Sequence, residues 1–197
     1  LSNLRTLLFI CAFVGGFFEN GLNGLSVLLG KSVGFDDVRS AWMPGVIGVG
    51  SLAAQYPIGV AADRHGSGRL LFASMLTLLF ATLLLPVVLL ESKALWVLGI
   101  LWGAAGGALY TLSIILIAKK VASQHVVQFT GLMVTAYTLG CTISPSIGGI
   151  CFDLSPIWGT GLAFTLLVGV GLAAMGFLSI WNREKSSSEI LYNPLSR

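Results

Sequence analysis

Glu19 is a lone carboxylate in the middle of an apolar run, flanked by Phe17, Phe18 and Asn20. A charged side chain at the centre of a bilayer costs about 2.5–3.5 kcal/mol on insertion scales. A chain that keeps one there turns it towards a bundle interior or a wet path. On a helix, Gly15, Glu19, Asn23 and Ser26 fall on one face, at spacings of four, four and three. That stripe can bind a proton or a cationic group of a solute. The same carboxyl can instead be a purely structural hydrogen-bonding group against a neighbouring helix. Other polar groups sit in apolar runs. Tyr110 and Ser113 are one turn apart, Tyr137 and Ser144 share a face, and Gln55 lies one turn from Ser51. Such groups bind solute where they face a cavity; facing another helix, they are packing contacts.

The remaining reactive residue types carry no chemistry. His65 and His125 lie between apolar runs without a metal partner at useful spacing. Cys11, Cys141 and Cys151 show neither metal spacing nor a CxxC pair, and they read as packing thiols. The sequence carries no nucleotide-binding glycine loop, zinc pattern or nucleophile elbow. No catalytic residue, metal or cofactor is assigned, and no enzyme activity is expected.

The elements that hold these residues follow from composition. Of 197 residues, 55% are hydrophobic and only 10% are charged, against about 25% charged in a soluble domain. Too few charges remain to coat a surface in water, so the bilayer is the solvent. A spanning helix needs about 20 mostly apolar residues. Six stretches qualify, at approximately 4–30, 38–62, 69–90, 94–118, 126–152 and 158–181. Short polar links join them, such as 31–39, 63–69 and 119–125. The expected organisation is an all-α, six-span membrane unit over 1–183 and a polar tail over 184–197, solvated and mobile. The chain opens on Leu1 rather than Met, which reads as processing, an expression product or a piece of a longer protein. The first apolar run is too long for a signal peptide and has no cleavage pattern.

Basic residues report orientation. With six spans, Arg5, Arg64, Arg69, Lys119, Lys120, Arg183, Lys185 and Arg197 lie on the side of the termini, and Lys31, Arg39 and Lys93 on the other. This bias puts both termini in the cytoplasm. The net charge of +3 therefore reflects loop bias and implies no nucleic-acid partner. Trp96 and Trp158 open runs on the outer side and Trp181 closes one on the inner side, as interfacial anchors.

The link between the second and third runs reads Gly59-Val60-Ala61-Ala62-Asp63-Arg64-His65-Gly66-Ser67-Gly68-Arg69. It resembles the G-x-x-x-D-R-x-G-x-x-R signature of the major facilitator superfamily (MFS). It also stands where that family has it, in a cytoplasmic link after an even-numbered helix. Gly59 is expected to let a neighbouring helix come close. Asp63 is expected to face the positive N-terminus of another helix, and Arg64 and Arg69 to meet acidic groups or anionic headgroups. Gly66 and Gly68 are expected to make the reversal. The resemblance implies that Asp63 latches the cytoplasmic side in one conformation. The fifth run, with Gly131, Gly140, Ser144, Pro145, Gly148 and Gly149, looks like the family's antiporter motif, with Ser144 where glycine is usual. Pro145 permits a kink there, and helix packing without antiport is the alternative reading.

MFS transporters are built from two six-helix halves, so the resemblance implies one half-bundle. The fourth run, Trp96 to Gly103, lacks the early arginine of a first half, and Gly106 to Leu112 looks like a second half. Residues 55–59 and the following loop resemble the C-terminal half of YcaD-like MFS proteins; the antiporter-like pattern, a first-half feature, points the other way. The expected function is transport of a small solute by alternating access, with Glu19 as the proton-coupling candidate, in a plasma membrane of the bacterial inner-membrane type. The expected partners are the lipid bilayer, the solute and a second half, whether from the same parent chain, a separate subunit or a homodimer. The alternative function is a non-transporting membrane scaffold or inactive remnant that packs with partner membrane proteins.

Overall fold

A computed structural model describes residues 2–88 and 93–192, with side chains placed for 3–86 and 93–178. Its helices are α1 (Ser2–Ser32), α2 (Asp37–His65), α3 (Ser67–Leu83), α4 (Leu85–Val88), α5 (Ala94–Lys120), α6 (Ser123–Leu154) and α7 (Trp158–Tyr192). Five of them, α1, α2, α5, α6 and α7, are long and apolar enough to cross a membrane.

The links follow local chemistry. Asp36 caps α2, its carboxylate accepting from the Arg39 amide at 2.7 Å. The reversal between α2 and α3 is a single residue, Gly66, at φ 88 and ψ 132, a conformation that side-chain-bearing residues rarely adopt. Gly68, expected to share this work, lies in the first turn of α3 without positive φ.

Two segments depart from the expected spans. The third, expected as one helix over 69–90, is split at Leu84 between α3 and α4. Pro86 is the cause. It has no N–H for the Thr82 carbonyl, and its ring would strike that carbonyl in a continuous helix. The 17 residues of α3 reach only about 25 Å. At the other end, α7 passes Trp181 and continues to Tyr192. The stretch 182–192 contains neither Gly nor Pro and includes Arg, Glu and Lys, which favour helix. The tail expected as mobile over 184–197 is thus helical to Tyr192; the side chain of Trp181 and residues 193–197 lie outside what is described, so the inner tryptophan anchor carries no structural account.

The most extensive contacts are α1 with α6 and α2 with α5, while α1 also meets α5, and α3 meets α5 and α7. Exchanging α1 with α5 and α2 with α6 turns one main pair into the other. In lipid no hydrophobic force drives helices together, so close packing of small residues decides the pairs. A Cβ on Gly16 would collide with the Tyr137 carbonyl, and one on Gly140 with the Phe13 carbonyl. In the second pair, Gly103 lies against the Ile47 carbonyl. Phe164 of α7 closes the centre, meeting Phe17 and Phe18 edge-on with centroids 5.2 and 5.0 Å away. Gly103→Val is expected to cost about 1–3 kcal/mol or more by overpacking. Gly131→Ala, whose added Cβ meets nothing within 4 Å among the described residues, should leave the unfolding midpoint in detergent unchanged. Equal midpoints for the two variants would refute this account of the α2–α5 contact.

Candidate functional site

Polar groups meet where α1, α5 and α6 come together. The Tyr137 hydroxyl donates to Glu19 Oε2 at 2.5 Å. The Tyr137 ring rests edge-on against that of Tyr110, with centroids 5.1 Å apart. Glu19, Tyr110 and Tyr137 are thus brought together from three helices. Glu19 and Asn23 also line a cleft of about 40 Å³ with Ser51 of α2 and Trp102, Gly106 and Gly107 of α5. The α5 glycines let α2 in close beside the cleft: a Cβ on Gly107 would strike Ser51 Oγ. The cleft is lined at once by a carboxylate, an amide, a hydroxyl and an indole, a set that can bind a small polar or cationic solute.

Trp102 was not singled out from the sequence. It is 1% exposed, and its Nε1 has no hydrogen-bond partner among the described residues. A buried indole N–H usually finds one. The available signal was its place in mid-run, away from the ends where tryptophans anchor to an interface. Other predicted members fall elsewhere. Gly15 packs against Leu109. The buried Ser26 donates to the Asn23 carbonyl of its own helix, and Ser113 to that of Leu109. Gln55 is exposed.

The α1–α6 seam explains the proline of α6. Pro145 cannot donate to the Cys141 carbonyl one turn earlier. Asn20 Nδ2 donates to that carbonyl instead, at 2.7 Å. Ser144 Oγ donates to the Phe17 carbonyl at 2.5 Å, and Gly21 makes room for it, since a Cβ there would strike Ser144 Oγ. Gly140 and Gly148 pack tightly, whereas Gly131 and Gly149 face open space. The Cys141 thiol donates to the Gly16 carbonyl at 3.3 Å, and all three cysteines are free thiols.

At the signature end, Asp63 pairs with Lys119 Nζ at 2.8 Å, and the same ammonium reaches the Ala62 carbonyl at 3.4 Å. The expected helix N-terminus is not its partner. The ends of α2 and α5 that meet here are both C-terminal, with negative partial charge, so a lysine is the fitting bridge. Gly59 has no described helix against it. A Cβ there meets nothing within 4 Å among the described residues, and the close α2–α5 approach falls at Gly50 and Gly103. Arg64 and Arg69 are exposed and form no ion pair among the described residues. The Asp63–Lys119 side chains are 73% and 46% exposed, so Asp63→Asn should cost less than about 1 kcal/mol. Asp63→Lys should loosen this end, and the exchange Asp63→Lys/Lys119→Asp should restore it. Protease access to the 63–69 link reads this; equal cleavage of single and double variants would refute it.

The chain matches the family model described as Major Facilitator Superfamily over residues 8–194. It is 26% identical over 165 residues to an MFS-type transporter of Yersinia enterocolitica, covering 84% of this chain and 41% of that protein. It is 27% identical over 134 residues to the MFS-type transporter YcaD of Salmonella arizonae, covering 68% of this chain and 34% of YcaD. The chain thus spans about two fifths of the length of the curated relatives it matches. Together with the five apolar helices, this makes it an integral membrane protein, and the chain belongs to the major facilitator superfamily.

Proposed function

We propose that this chain supplies one six-helix half of an alternating-access secondary transporter for a small solute, with the cleft at Glu19 as its share of the solute or proton path. The observation that carries the reading is the convergence of Glu19, Asn23, Ser51 and Trp102 on one cleft in mid-bundle. In this superfamily, substrate and coupling-ion sites lie near the midplane where halves meet. The split pair α3 and α4 counts as the remaining span. The exchange of helix pairs that relates α1–α6 to α5–α2 fits the 3+3 repeat within such a half.

A second half is required, because one half cannot enclose a midplane site. A Cβ added at Gly45, Gly48 or Gly59 of α2, or at Gly131 or Gly149 of α6, would meet nothing within 4 Å among the described residues. These small-residue positions suit a further helix surface. The relatives, more than twice as long as the matched stretch, have room for that half. The fourth run without an early arginine favours the C-terminal half, and the basic-residue bias favours cytoplasmic termini in a bacterial inner membrane. The Asp63–Lys119 bridge ties the α2 and α5 ends where the family's signature is a latch.

Flux of small organic cations in proteoliposomes, driven by a pH gradient and using the protein purified from its own membrane, tests transport. Absence of flux across a panel of such solutes would favour the scaffold reading. An antibody to 186–197 tests the half: a native band about twice the calculated 20.7 kDa means that both halves lie in one chain. A band near 20.7 kDa places the second half on a separate subunit or a second copy.

A further inference from the structure

A second, larger cavity of about 830 Å³ opens at the end of the bundle that carries the signature link. Its walls are Leu4 and Leu7 of α1, Phe72 of α3 and Met175 of α7, and its rim carries Arg69 of α3 and Lys120 of α5. The two cations differ from their neighbours. Arg5 lies over the Phe129 ring and reaches Gln128, and Lys119 is held by Asp63. Arg69 and Lys120 are exposed, form no ion pair among the described residues, and share their cavity with no described carboxylate. Lys120 ends α5 and Arg69 lies in the first turn of α3, whereas Leu7 and Phe72 sit further into their helices. In a bilayer, a rim at these helix ends would meet headgroups, while Leu7 and Phe72, further into their helices, would meet acyl chains.

We infer that this groove is a binding site for one anionic phospholipid, its phosphate on Arg69 and Lys120 and its upper acyl chain along Leu4, Leu7, Phe72 and Met175. A free phosphate would use the rim and leave the floor bare, whereas the lipid matches both. Basic pockets between spanning helices bind acidic headgroups on this principle. The inference stands apart from the transport reading and holds whatever solute the protein carries.

Native mass spectrometry of the full protein in detergent, titrated with phosphatidylglycerol and with phosphatidylcholine of the same chains, tests it. The phosphatidylglycerol adduct should dominate. Arg69→Gln/Lys120→Gln should weaken it about 30-fold, each basic group contributing about one equal share. Gly176→Leu keeps both charges and fills the groove; a Cβ at Gly176, which lines it, meets nothing within 4 Å among the described residues, so helix packing is expected to hold. This variant should also lose the adduct, while Arg64→Gln, which does not line the groove, should keep it. Retention of the lipid preference in either groove variant overturns the site. So does full displacement by inorganic phosphate, which would make it an anion site without a lipid.

Discussion

Glu19→Gln is expected to remove pH-dependent uptake while leaving the bundle intact. The glutamine carbonyl can still accept from the Tyr137 hydroxyl, which lies 2.5 Å from Glu19 Oε2, so packing of α1 on α6 changes little. The exchangeable proton and the negative charge are lost. If a cationic group binds here, losing a charge-assisted hydrogen bond worth about 1.5–3 kcal/mol lowers its affinity roughly 10- to 150-fold. Tyr137→Phe makes the complementary change: it keeps the carboxylate and removes the donor, so it should alter solute affinity and leave the pH response in place. The measurement is initial uptake rate against external pH for the three proteins. A pH profile for Glu19→Gln matching the parent would make Glu19 a structural partner of Tyr137 and overturn the proposed proton coupling.

The second large effect is a coupling between Asn20 and Pro145. Pro145 leaves the Cys141 carbonyl without its helical donor, and Asn20 supplies one from α1 at 2.7 Å. Asn20→Leu strands that carbonyl in a span where water is scarce, which should cost about 1–3 kcal/mol. Pro145→Ala restores a backbone N–H at the right place. In the double variant most of the loss should return, whereas the two changes would simply add if the groups were independent. Unfolding midpoints of the four proteins in one detergent measure the coupling. Strict additivity would mean that Asn20 does not replace the missing amide.

These two sites differ in how much of them is legible in the sequence. Glu19 is conspicuous because a carboxylate in an apolar run breaks a strong expectation. Its partner Tyr137, 118 residues away, was one of several hydroxyl candidates of equal standing. Pro145 could be read as a kink, but the donor that makes the kink tolerable belongs to another helix. The signature at 59–69 was legible as a string. Yet Asp63 meets Lys119, 56 residues on, because the relative direction of α2 and α5 decides which helix ends adjoin. Nothing local marks Trp102, because neither an orphaned indole N–H nor a cleft can be read from one strand of sequence.

The sequence by itself determined the membrane class, the apolar character of most of the helices, a turn glycine at Gly66 and the family signature. These depend on local quantities: apolar length against bilayer thickness, the φ that only glycine adopts readily, and a short run of charges. Even the split at Leu84 has a local cause in Pro86, though the run of apolar residues concealed it. Tertiary structure alone decided that α1 packs on α6 and α2 on α5, which glycines are crowded and which face open space, and what surrounds Glu19. In a solvent as apolar as the helices themselves, hydropathy cannot choose between neighbours. Complementary small surfaces and hydrogen bonds between distant segments make that choice.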